Sequence, residues 1–192
     1  MLASVRVAVA LLLLAALPAI AQGAGSATAL QRTAADSVAI GRIREVFQAV
    51  ERHASEYVKI EREVEGFSVD GAKLIAYFEG DTLRKIHVDH GGESGRAFED
   101  DYFSQGKLVF VFLVIEQYAM SMSGKVQSRT EHRYYFENSR LFRHVRTPAR
   151  HSAVDGPDPT AKGLLRAART YVACANATAE TFDAACAESP GK

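Results

Sequence analysis

Tryptophan is absent from this chain of 192 residues, and cysteine occurs only twice. Neither sign of charge dominates, since 23 Lys and Arg face 23 Asp and Glu. Balanced charge gives no global pull toward nucleic acid or an anionic membrane, so neither is expected as a partner. Past the N-terminus no apolar run approaches the roughly 20 residues a membrane helix needs. The longest spans 108–115. Sequence signatures of catalysis are missing as well. No Ser sits in a nucleophile elbow, no Gly-rich loop leads into a helix as a phosphate cradle, and no H-E-x-x-H occurs. No cofactor is expected.

The first 21 residues have the layout of a signal peptide. Arg6 supplies a positive start, Val7 to Leu17 is unbroken apolar sequence, and Ala19-Ile20-Ala21 is an A-x-A cleavage site. The expectation is cleavage after Ala21 and a soluble periplasmic or secreted protein beginning at Gln22. Retention as a membrane anchor is the alternative, but the run is short for a span. No Cys follows the site to carry a lipid. In such a compartment Cys174 and Cys186 are expected to pair as one disulfide. The loop it closes is worth on the order of 3 kcal/mol. A redox or metal pair is the alternative, but the spacing is not C-x-x-C and no His lies nearby.

What the chain does have is a pattern in triplicate: Tyr-Phe, four residues, Leu. The copies are Tyr77-Phe78 to Leu83, Tyr102-Phe103 to Leu108 and Tyr135-Phe136 to Leu141. Their middle pairs, Gly80-Asp81, Gln105-Gly106 and Asn138-Ser139, are turn formers between β-prone residues. That is the grammar of a two-residue β-hairpin. A two-residue loop pairs Phe78 with Leu83, Phe103 with Leu108 and Phe136 with Leu141. By the same count Tyr77, Tyr102 and Tyr135 oppose Arg84, Val109 and Phe142 on the other face.

Around the hairpins the chain divides readily. Residues 22–35 read as a loose leader ahead of a single domain, 36–192. Ala39, Ile40, Ile43, Val46, Phe47 and Val50 recur at helical spacing and predict an amphipathic helix over 36–55. Residues 57–146 predict seven strands, about 57–64, 72–79, 82–89, 96–104, 107–118, 127–137 and 140–146. Their short connections imply an antiparallel meander. The run 108–115 does not alternate, so it should be covered on both sides, by the N-terminal helix and a C-terminal one or by sheet curling. Residues 147–159 hold three prolines and read as a linker. A second helix and a disulfide-anchored tail fill 160–192. The expected class is α+β: a curved antiparallel meander of about seven strands with an amphipathic helix at each end.

Tyr134-Tyr135-Phe136-Glu137-Asn138-Ser139-Arg140-Leu141 and Tyr102-Phe103-Ser104-Gln105-Gly106-Lys107-Leu108 resemble the Y-Y-x-N-G-x-L hairpins of bacterial MORN-type repeat proteins. The match covers roughly a third of the expected mature chain, its copies lack a fixed short period, and the usual trailing Gly and Trp are missing. The resemblance implies an interaction or scaffold module without catalysis. The chain also looks like exported bacterial single-domain proteins of helix-plus-meander type.

Two function classes follow. The first is a non-catalytic binding or interaction protein with a protein, glycan or small-molecule partner in the exported compartment. Its recognition face would carry Tyr77, Tyr102 and Tyr135, with Arg84 and Arg143 as polar contacts. The second is a small hydrolase or metal-dependent enzyme using His87, Asp89 and His90. On a strand His87 and Asp89 share a face while His90 points away, so convergence would need a bulge. Glu99-Asp100-Asp101 offers paired carboxylates for acid–base work, or an acidic edge that blocks strand pairing. Arg140, Arg143, Arg146 and Arg150, with His144 and His151, form a basic run. It reads as a solvated face, a neighbour of the acidic triplet, or a contact for an anionic partner.

Overall fold

The computed structural model describes residues 23–65, 68, 70–148 and 158–186, with side chains from residue 33 onward. The expected signal peptide, most of the linker, Arg150 and His151 lie outside them. The chain divides into two units, residues 1–34 and 35–192. The described part of the first is the opening of helix α1, Gly23–His53. The helix thus takes in residues read above as a loose leader. The Ala-rich composition of that stretch explains it, since Ala is the strongest helix former. All that follows concerns the second unit.

Seven strands form one antiparallel sheet whose spatial order is the chain order. They are β1 Val58–Val64, β2 Ala72–Glu79, β3 Thr82–His90, β4 Gly95–Ser104, β5 Lys107–Tyr118, β6 Val126–Glu137 and β7 Arg140–Thr147. Helix α2, Ala161–Asn176, and the short α3, Phe182–Cys186, complete the α+β fold. Thr160 caps α2 through its side-chain oxygen, which accepts from the Gly163 N–H at 3.1 Å. Cys174 and Cys186 are disulfide-bonded and tie α3 to α2, which fits an oxidising, exported compartment. No helix among the described residues is long and apolar enough to cross a membrane.

The three hairpins pair Phe78 with Leu83, Phe103 with Leu108 and Phe136 with Leu141. One residue further in, each register shifts, so Tyr77, Tyr102 and Tyr135 oppose Lys85, Phe110 and Arg143. Arg84, Val109 and Phe142, the expected partners, are the extra residues of three β-bulges at one level of the sheet. A bulge bends its strand and sharpens the twist. The tight turns carry the required left-handed residues: Gln105 and Gly106, Asn138 and Ser139, and Gly80.

Strand β5 shows why the sheet needs both helices. Val111 and Leu113 join the cluster under α2, with Leu74, Ile86, Val88, Phe136, Leu164 and Tyr171. Phe110 and Phe112 turn to the other side and pack under α1 with Ile43, Phe47, Val50, Tyr102 and Tyr135. A strand apolar on both faces is therefore covered on both.

Candidate functional site

The α1 side carries the tyrosine row. Tyr102 and Tyr135 are 1% and 7% exposed, so α1 covers what would otherwise be a displayed surface. Phe47 of the helix seats against them, with ring centroids 5.2 Å from Tyr102 and 5.9 Å from Phe110. Phe110 and Tyr135 are 5.0 Å apart. Such aromatic pairs add about 0.5–1.5 kcal/mol each beyond their buried area. Tyr77 stays half-buried, with the Lys59 and Lys85 ammonium groups 5.4 and 5.7 Å from its ring. Arg84 lies on its bulge beside Glu79, 3.5 Å away, and Arg143 is exposed on β7. The five predicted contact residues therefore do not line one open face.

A charged network fastens the end of α1. Lys85 donates to Glu51 at 2.8 Å and lies 3.2 Å from Asp100. The Tyr102 hydroxyl also donates to Glu51, at 2.8 Å. His87 Nδ1 meets Asp100 at 2.8 Å. Burial works against the Lys85 charge, but Asp100 and Glu51 outweigh it and hold the ammonium above its usual value. Burial likewise opposes the Asp100 charge, yet His87 and Lys85 together keep that carboxyl below the ordinary range.

Beside this network a cleft of about 410 Å³ opens between α1 and strands β5 and β6. Ile43, Phe47, Phe110, Phe112 and Tyr135 line it, and Arg44, Gln48 and Arg133 supply its polar groups. Arg44 and Gln48 stand one helical turn apart beside the Ile43–Phe47 row, which places them along one wall. Arg133 is held over the Phe112 ring at 5.1 Å and bonds Glu131 at 2.6 Å. Arg44 is exposed and has no ion-pair partner among the described residues. An apolar cleft with a few placed polar groups is the usual form of a small-molecule site. Neither Arg44 nor Arg133 stands out in the sequence. Each becomes a candidate only once α1 is laid across β5 and β6.

The α2 side is different. Glu99 and Asp101, alternate residues of β4, both point beneath α2 and are 6% and 0% exposed. The strand is the middle one of seven, so the acidic-edge reading of Glu99-Asp100-Asp101 does not hold. Among the described residues no N–H or O–H group donates to either Asp101 oxygen, and its carboxyl neighbour is Glu99. Burial, then the repulsion of Glu99, raises the Asp101 carboxyl well above the carboxylate range. The Tyr171 hydroxyl donates to Glu99 at 3.3 Å and meets His90 Nε2 at the same distance.

Of the predicted metal or catalytic set, His90 therefore turns toward α2, while His87 turns toward Asp100 and the α1 side. In β3 Asp89 shares the His87 face, where it borders a separate polar depression with Glu63, Asp70 and Lys73. The three do not converge. Among the described residues, the group that does bring ligand atoms together is His132, His144 and Asp158. Of these only His144 belongs to a run picked out in the sequence. No family model, curated protein or solved structure matches this chain.

Proposed function

We propose that the protein is an exported, non-catalytic binding protein whose cleft under α1 takes a small amphipathic carboxylate. One observation carries this reading: an aromatic-lined cleft of about 410 Å³ with the unpaired guanidinium of Arg44 on its wall. The volume falls at the small end of ligand sites, roughly 300–1,000 Å³. Ile43, Phe47, Phe110 and Phe112 would receive an apolar body, gaining about 25 cal/mol per Å² removed from water. Arg44 and Arg133 would receive an anionic head by charge-assisted hydrogen bonds. Two guanidiniums against the one carboxylate of Glu131 leave the wall net positive.

Other features support the setting. The A-x-A sequence at 19–21 and the disulfide both suit export to a periplasmic or extracellular space. The hairpins' resemblance to MORN-type repeats implies an interaction module and points the same way. The tyrosines keep a role here. Tyr135 forms part of the cleft wall, and Tyr102 locks α1 through Glu51.

The test is calorimetric titration with dodecanoate and with dodecanol, which share a chain and differ in the head group. Dodecanoate is expected to saturate one site and to bind more tightly than the alcohol. Arg44→Glu should weaken the carboxylate about tenfold, equivalent to about 1.4 kcal/mol. It should leave the alcohol little changed. Equal affinity for both compounds, or an Arg44→Glu protein that binds dodecanoate as before, would reject the reading.

A further inference from the structure

The α2 side of the sheet holds a second constellation at its β7 end. His132 and Tyr134 alternate on β6, and Tyr134 lies directly opposite His144 on β7. Their rings stack 4.2 Å apart and 2° from parallel. His132 is 2% exposed, and His144 and Asp158 are half-buried. The His132 Nδ1 atom lies 3.1 Å from His144 Nε2 and 3.3 Å from the Tyr134 hydroxyl. Asp158 arrives from the chain just ahead of α2, where Arg146 Nε stands 3.8 Å from its carboxylate. One ligand atom from each of His132, His144 and Asp158 falls within 4.8 Å of the other two.

We propose that His132, His144 and Asp158 form a binding site for a first-row divalent transition cation, of which Zn²⁺ fits best. The donor set decides the class. Two imidazoles and one carboxylate suit Zn²⁺ and its neighbours, whereas Ca²⁺ and Mg²⁺ take shells of oxygen. Distance agrees. Two Zn–N bonds of about 2.0–2.1 Å at a tetrahedral angle set the nitrogens roughly 3.3 Å apart, a few tenths beyond the 3.1 Å observed. Three protein donors leave the fourth position to solvent.

The facing nitrogens of the two imidazoles lie within hydrogen-bonding distance. Their planes are 7° from parallel and their centroids 5.3 Å apart, so the facing nitrogens lie between the rings. That is the geometry of an N–H···N bond. To ligate as neutral imidazoles, His132 would hold its proton at Nε2 and His144 at Nδ1, so that both facing nitrogens offer lone pairs, and both rings would turn about their Cβ–Cγ bonds until those lone pairs converge. The turn draws His144 off its stack on Tyr134. This site is separate from the α1 cleft and does not depend on the ligand proposed there.

The test is calorimetric titration of the full protein with ZnCl₂ at pH 7.5, with MgCl₂ as the control. Zn²⁺ should saturate at one equivalent in the micromolar range, and Mg²⁺ should give no saturable heat. His144→Gln and Asp158→Asn, at half-buried positions, should each weaken Zn²⁺ at least tenfold, while His87→Gln changes nothing. A histidine-selective NMR spectrum should show the ring nitrogens of His132 and His144 shifting together with metal. Absence of saturable Zn²⁺ binding, affinity that survives both His144→Gln and Asp158→Asn, or equal loss in His87→Gln would overturn the proposal.

Discussion

Asp100 and Asp101 are neighbours in the chain and sit on opposite faces of the sheet. Asp100 points toward α1, where Lys85 and His87 meet it and hold it ionised. Asp101 points under α2, where among the described residues no donor reaches either oxygen and Glu99 stands on the same face of the strand. The rest of each face follows this contrast. On the α1 side Lys85, Glu51, Asp100 and His87 form a paired network, aromatics dominate and a cleft remains open. On the α2 side a larger cluster, mostly aliphatic with Phe78, Phe103, Tyr134, Phe136 and Tyr171 among it, fills the space and the polar groups are locked into it. On the face built for packing, burial and the neighbouring Glu99 push the Asp101 carboxyl toward its neutral form. A face that keeps charge pairs near its rim retains room for a ligand and a means of holding its anionic head.

The largest expected effect comes from breaking each face at adjacent residues of β5. Leu113→Ala removes a buried side chain under α2 and should cost about 2–5 kcal/mol, as large-to-small changes in filled cores do. Phe112→Ala, one residue earlier, enlarges a cleft that is already open. It should cost about 1 kcal/mol, since little new void is enclosed. Urea denaturation of the two variants measures the difference. Equal losses would mean that the α1 face is packed as tightly as the α2 face.

A smaller effect separates the two aspartates by pH. Asp100 has a folded value below its unfolded value of about 3.9. Its contribution is therefore present above about pH 4 and is lost as pH falls through the folded value. Asp101 has a folded value raised above the same reference. Above about pH 4 the unfolded chain has released a proton that the folded chain keeps, so stability declines as pH rises toward the folded value. Asp101→Asn should raise stability at pH 7 by on the order of 1 kcal/mol and change little at pH 3. Asp100→Asn should lower it at pH 7 by a similar amount, because Lys85 loses one of its two carboxylate partners. Urea midpoints at pH 3, 5 and 7 read both slopes. Slopes of the same sign would remove the distinction between the faces.

Much of the framework is legible in the residues because it rests on local rules. Alternation and turn chemistry locate all seven strands to within a residue or so, and the Phe–Leu pairs at the hairpin tips follow from loop length alone. The Tyr partners do not, because Arg84, Val109 and Phe142 are absorbed by bulges, and no strong residue preference announces a bulge there. Topology decides the acidic triplet. Glu99-Asp100-Asp101 reads as an edge on composition, yet β4 is central, and its carboxyls go to two different environments. The cleft is least legible. Phe47 and Arg44 look like ordinary residues of an amphipathic helix, and only the crossing of α1 over Phe110, Phe112 and Arg133 gives them a shared purpose. His132 and Asp158 are likewise silent until the sheet and the start of α2 bring them together.

The absence of tryptophan makes the most direct measurement simple. Phe112→Trp places a single indole in the α1 cleft, and Val172→Trp places one on α2, on the other side of the sheet. Each variant is titrated with dodecanoate and its fluorescence followed. The expected result is a saturable change in the Phe112→Trp emission at the concentration that saturates the calorimetric isotherm, with the Val172→Trp emission unchanged. A Phe112→Trp signal that stays flat, or identical responses from both positions, would contradict a ligand site between α1 and the sheet.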